Sequence, residues 1–160
     1  MFARIAIFCG LLATFVSPAY ARDSLGVYSN WAAFRDDSPS RCYAIAKPRS
    51  GAAGPFASVA TWPGKGLRGQ VYFRLSRQTG ENANAVLTIG EQEFELVAQG
   101  RNAWAANRTI DAGIIAAMRS ASRMTVAARQ SNGARFSDSY SLSGSATAMD
   151  ASVVGCANRG

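Results

Sequence analysis

Glu91, Glu93 and Glu95 alternate with Gln92, Phe94 and Leu96, so a strand here places three carboxylates on one face. Neighbours on that face stand roughly 6.5–7 Å apart, a separation that glycoside hydrolysis can use. A general acid also needs an apolar pocket to raise its pKa. No such pocket is evident around these residues, and they read as a solvated face. A carboxylate-dependent hydrolase, or an inhibitor of one, is kept as the alternative function. Histidine is absent from all 160 residues, which excludes Ser-His-Asp and Cys-His catalysis and any His-ligated zinc site. Ser-x-x-Lys occurs at neither Lys47 nor Lys65, so that acyl-transfer route lacks support. Pro63-Gly64-Lys65-Gly66 lacks the first glycine and the Ser/Thr of a phosphate loop. The chain is read as non-enzymatic, with no cofactor and no metal.

Binding chemistry rests on arginines. Arg68, Arg74 and Arg77, with Tyr72 among them, form a basic stripe with an aromatic that suits an anionic ligand. The alternative is an ordinary solvated sheet face. Trp31, Trp62 and Trp104 read as core anchors.

The cysteines point to a staple. Arg4, the apolar run Ile5 to Val16 and Ser17-Pro18-Ala19-Tyr20-Ala21 follow the pattern of a secretory leader cleaved after Ala21. The apolar run has 12 residues, too few for the roughly 20 that span a bilayer. Cys9 leaves with residues 1–21, and residues 22–160 form one domain with two cysteines, Cys42 and Cys156. In an oxidising compartment that even count reads as one disulfide, the alternative being two buried free thiols. Loss of Arg4 lowers the formal charge from +7 to +6. A basic exported protein is drawn to anionic surfaces, so an anionic envelope component or a partner protein is expected. Nucleic acid is not expected as a partner, and the mature chain holds no membrane span.

Most of the chain that carries these side chains reads as strands. Leu25 to Arg35 reads as one strand, and Asp36-Asp37-Ser38-Pro39-Ser40 as a turn. Cys42 to Ala46, Ala57 to Trp62 and Gln70 to Ser76 follow as strands. Ala85–Ile89 and Gln92–Ala98 flank Gly90-Glu91, whose leading glycine suits a type II′ hairpin. Around Ser131-Asn132-Gly133, a three-residue loop pairs Ala128 with Phe136 and Met124 with Tyr140, which keeps apolar residues on one face. Asp138 opposite Val126 is the flaw in that register. Two helices interrupt the β pattern. One runs over about 110–120, capped by Thr109, with Ile110, Ile114, Ala117 and Met118 on one face. The other runs over about 146–154, capped by Ser145, with Ala146, Met149, Val153 and Cys156 on an inward stripe. The fold class is mainly β, a small antiparallel sandwich or barrel with two short α-helices.

Four stretches carry a family resemblance. They are Leu25-Gly26-Val27-Tyr28-Ser29-Asn30-Trp31 with Cys42-Tyr43-Ala44; Ser58-Val59-Ala60-Thr61-Trp62-Pro63; the strand, turn and Trp unit from Ile89 to Trp104; and Tyr140-Ser141-Leu142-Ser143-Gly144-Ser145 running through Met149-Asp150 to Cys156. Together they resemble the invasion-associated locus B family of exported alphaproteobacterial proteins. The resemblance implies a periplasmic or surface location, a β-rich fold and no established enzymatic activity. It offers no catalytic residue to carry over.

Overall fold

Alternating apolar residues recur between residues 23 and 141, and they build one antiparallel sheet. The computed structural model describes residues 22–81 and 83–157. The leader predicted for residues 1–21, with Cys9, lies outside the described residues. The strands are β1 (Asp23–Tyr28), β2 (Trp31–Asp37), β3 (Ser40–Ala46), β4 (Phe56–Trp62), β5 (Leu67–Arg74), β6 (Ala85–Ile89), β7 (Gln92–Gln99), β8 (Asn102–Ala105), β9 (Arg123–Arg129) and β10 (Arg135–Ser141). Helix α1 (Arg108–Ser120) lies between β8 and β9, and α2 (Ser145–Cys156) follows β10. The sheet order is β1-β2-β3-β4-β5-β8-β7-β6-β9-β10, so β1 and β10 remain edges and the barrel does not close. The sheet nevertheless folds over on itself. Phe73 of β5 lies 6.1 Å from Tyr140 of β10, centroid to centroid. The Trp31 indole donates to the Ser141 carbonyl at 2.8 Å. The mainly β reading is correct, with a sandwich-like arrangement around a single core that includes Trp31, Phe73, Leu87, Ile114, Val126 and Tyr140.

Local turn chemistry set two registers as the sequence predicts. Ile89 faces Gln92 across Gly90-Glu91. Gly90 has φ 59° while Glu91 stays at negative φ, which fits type II′ and not type I′. Ala128 pairs with Phe136 and Met124 with Tyr140, with Gly133 left-handed at φ 79°. Asp138, the flaw in that register, is almost fully buried. Its Oδ2 accepts from the Ser76 backbone N–H at 2.8 Å. Sheet folding thus supplies a donor for a carboxylate that local pairing leaves without one.

Three local expectations were wrong. Leu25 to Arg35 is not one strand: Tyr28 faces Trp31 across Ser29-Asn30, and Ser29 adopts φ 54°. No glycine or proline marks that turn, so the punctuation that identifies turns elsewhere is missing. Helix α1 is capped by Asn107, not Thr109; Asn107 Oδ1 accepts from Ile110 N at 3.0 Å. Asn107 holds the extended backbone a cap requires, and its acceptor reaches the third helical residue. Helix α2 starts at Ser145 with Gly144 as its cap and continues to Cys156. The Ser145 hydroxyl donates to the Met118 carbonyl of α1 at 3.3 Å instead of capping. Val153 is 53% exposed, and Ala148, Met149, Ser152 and Cys156 make the inward stripe. Ser152 faces the core beside Met149 and Cys156, and its hydroxyl donates to the Met149 carbonyl at 2.8 Å. That local bond satisfies a polar group which apolar patterning alone turns outward.

Helix α1 fills a gap in the sheet. Strand β8 pairs with β5 only from Tyr72 to Arg74, and the Val71 N–H donates to Asp111 Oδ1 of α1 at 2.8 Å. Asp111→Ala leaves that donor unpaired and is expected to cost about 1–3 kcal/mol. Burial is the larger influence on the Asp111 carboxyl and raises its pKa above the ordinary 3.8, against the lowering by the Val71 N–H. Relative to the unfolded chain, folding therefore shifts Asp111 toward its protonated form. The resulting stability is fully present below the unfolded pKa and is lost as pH rises through the folded value. Asp111→Asn keeps an acceptor and carries no charge. Its stability relative to the wild type is expected to rise from acid to neutral pH, as read by urea unfolding across that range. A relative stability that falls with rising pH contradicts the assignment.

Candidate functional site

The cysteines come together through long-range folding. Cys42 lies on the inward face of β3, and Cys156 is the last residue of α2. Their Cα atoms are 5.9 Å apart and the sulfur atoms are at bonding distance, a pair compatible with a disulfide. The pair holds the end of α2 against the sheet.

The four residues of the basic stripe divide into separate environments. Tyr72 and Arg74 share one acceptor: Asn102 Oδ1 receives the Tyr72 hydroxyl at 2.6 Å and an Arg74 N–H at 2.9 Å. The Tyr72 ring also packs beside Phe56, with centroids 5.8 Å apart. Arg77 lies exposed beyond the end of β5. Arg68 is separated from the others by a bulge. Ala60 pairs with Gln70, but Trp62 pairs with Leu67, so β5 carries one extra residue there. Gly69 adopts φ 69° at this point, and a Cβ on it would stand 2.7 Å from Ile115 Cδ1. A bulge re-aims the side chain beside it, and Arg68 opens into a cleft beside α1.

That cleft has a volume of about 760 Å³ and lies between the β4–β5 end, α1 and the end of α2. One side is the outer face of α1, where Arg108, Ala112, Ile115, Ala116 and Arg119 recur at helical spacing. Trp62 and Leu67 line the opposite side, and Val153 closes it near Cys156. The three arginines differ in partnership. Arg119 binds Asp150 at 2.6 Å across the two helices, and its hydrogen bond holds the Asp150 carboxyl below the usual range. Both side chains are exposed, so this pair contributes little to stability. The side chains of Arg68 and Arg108 make no hydrogen bond or ion pair among the described residues. Trp62 is half-buried, not a core anchor like Trp31. Its indole donates to Gln70 Oε1 at 3.1 Å. Arg41 and Lys65 stand 5.3 and 4.9 Å from its ring centroid. Arg108, Arg119 and Trp62 were not predicted as site residues. A helix-face reading of α1 marks the two arginines, but nothing local places Trp62 opposite them.

A family profile described as "Invasion associated locus B (IalB) protein" matches residues 41–153. The chain belongs to the invasion associated locus B family. Comparison with curated proteins and with solved structures returns no match. The IalB segment begins one residue before Cys42 and stops three before Cys156. It contains the bulge, α1 and both unpaired arginines of the cleft.

Within the same IalB segment, Glu91, Glu93 and Glu95 are exposed and lie outside the cleft. Among the described residues, no group of three His, Cys, Asp or Glu could hold a metal ion. No helix among them is long and apolar enough to cross a membrane.

Proposed function

We propose that this chain is an exported, non-enzymatic binding module of the bacterial envelope, working in the periplasm or at the cell surface on an anionic component or partner protein. The observation that carries this reading is the pair of guanidinium groups, Arg68 and Arg108, that line a largely apolar cleft with no partner among the described residues. A guanidinium left without a carboxylate is available for phosphate or carboxylate recognition. The leader pattern, the excess of arginine and the absence of histidine support the same reading. The exposure of Glu93 and Glu95 removes the apolar surroundings that a carboxylate hydrolase requires.

The test is retention on vesicles containing anionic lipid, compared with neutral vesicles, across a salt series. Binding is expected to favour anionic vesicles and to fall as salt rises. Each basic side chain near such a surface contributes about 1 kcal/mol, so Arg68→Ala/Arg108→Ala is expected to weaken retention roughly tenfold or more. Equal retention on neutral and anionic vesicles overturns the reading.

A further inference from the structure

We infer that the cleft between α1, α2 and the β4–β5 end binds one single-chain amphiphile with an anionic head. This rests on the binding-module reading and names the ligand chemistry of its site. Its size comes first: about 760 Å³ lies within the roughly 300–1,000 Å³ typical of small-molecule sites. Its lining comes second. Ala112, Ile115 and Ala116 form a continuous apolar strip along α1, faced by Trp62, Leu67 and Val153. Neither helix covers that strip; Ala112 and Ala116 are exposed, and Val153 is 53% exposed. The charge comes third. Arg119 is already neutralised by Asp150, whereas Arg68 and Arg108 have no partner among the described residues. A purely apolar ligand leaves those two cations unused, and a bare anion leaves the apolar strip wet. A chain on the strip with a phosphate or carboxylate at the arginines satisfies both.

The bulge explains why the site exists. A regular β5 continues the alternation and points Arg68 along the face of Tyr72 and Arg74. The extra residue at Gly69 instead brings Arg68 to the cleft, and the missing side chain lets Ile115 seat against the strand.

The probe is monododecyl phosphate below its micelle concentration, titrated calorimetrically into the oxidised mature chain. One-to-one binding is expected. Inorganic phosphate and dodecyl maltoside, each offering half of the chemistry, are expected to bind at least tenfold more weakly. Ala116→Trp fills the cleft from an exposed position without changing charge. It is expected to weaken monododecyl phosphate binding at least tenfold while leaving the thermal midpoint in place. Arg68→Ala and Arg108→Ala are each expected to weaken monododecyl phosphate binding severalfold. Inorganic phosphate binding as tightly as the amphiphile overturns the proposal, as does binding that Ala116→Trp does not change. Vesicle retention without monomer binding overturns the cleft while leaving the envelope reading intact; loss of both overturns both.

Discussion

Replacing Cys156 with serine is expected to lower the thermal midpoint of the oxidised protein by roughly 10–20 °C. The two cysteines are 114 positions apart, so a bond between them removes much of the freedom of the unfolded chain. The chain-entropy argument assigns about 4–5 kcal/mol to a closed loop of this length. For a domain of this size each kcal/mol moves the midpoint by roughly 2–5 °C. Location adds to the effect. Cys42 is fully buried and Cys156 nearly so, and Met149 is the one long apolar side chain on a buried α2 face otherwise made of Ser145, Ala148, Ser152 and Cys156. Such a helix contributes little apolar burial of its own, so the covalent tie matters more. Calorimetry with and without reductant checks this. Reductant is expected to bring the wild type down to the variant's midpoint and leave the variant unmoved. Equal midpoints under oxidising conditions rule the bond out.

Gly144→Ala is expected to be the most damaging glycine substitution, losing more than about 3 kcal/mol. Gly144 is the cap of α2 and adopts φ 86°. A Cβ there would stand 1.8 Å from the Tyr28 carbonyl oxygen and 2.5 Å from its carbon. These are backbone atoms, so no rotamer change can relieve the contact. The β1–β2 turn is also tied to this region, since Asn30 N donates to the Ser143 carbonyl at 3.2 Å. The left-handed conformation alone costs a non-glycine residue about 1–2 kcal/mol, and displacing the hairpin adds to it. Losses above about 4 kcal/mol are confined to such specific mechanisms. Gly90 and Gly133 are also left-handed, yet a Cβ on either meets nothing within 4 Å. Gly133→Ala is therefore the control, with only the conformational cost. Urea unfolding of the two variants separates them, and equal losses would show that the Tyr28 contact yields.

The Gly90-Glu91 and Gly133 turns, the β class, the cysteine pairing and the IalB resemblance are legible in the sequence, because each depends on a few neighbouring residues or on a small count. Gly90-Glu91 and the loop ending at Gly133 set their hairpins through the φ angles that glycine permits. The Ser29-Asn30 turn escapes that logic, since a non-glycine residue takes the left-handed conformation there. Ser152 facing inward and Val153 outward reverse the apolar pattern: Ala148, Met149 and Cys156 occupy the same buried face, and the Met149 carbonyl satisfies the Ser152 hydroxyl there. The basic stripe fails as a unit for another reason: a single extra residue in β5 is visible only against its partner strand.

Residue types alone set the chemistry available: arginine without histidine, Cys42 and Cys156, and strands with glycine at several of their turns. Tertiary structure decided which groups meet. Asp111 reaches Val71 across 40 positions, Asp138 reaches Ser76 across 62, and Trp62 faces α1 across the cleft. Such contacts form only after distant loops close, and the entropy of closure depends on the whole topology. No local window of residues encodes them.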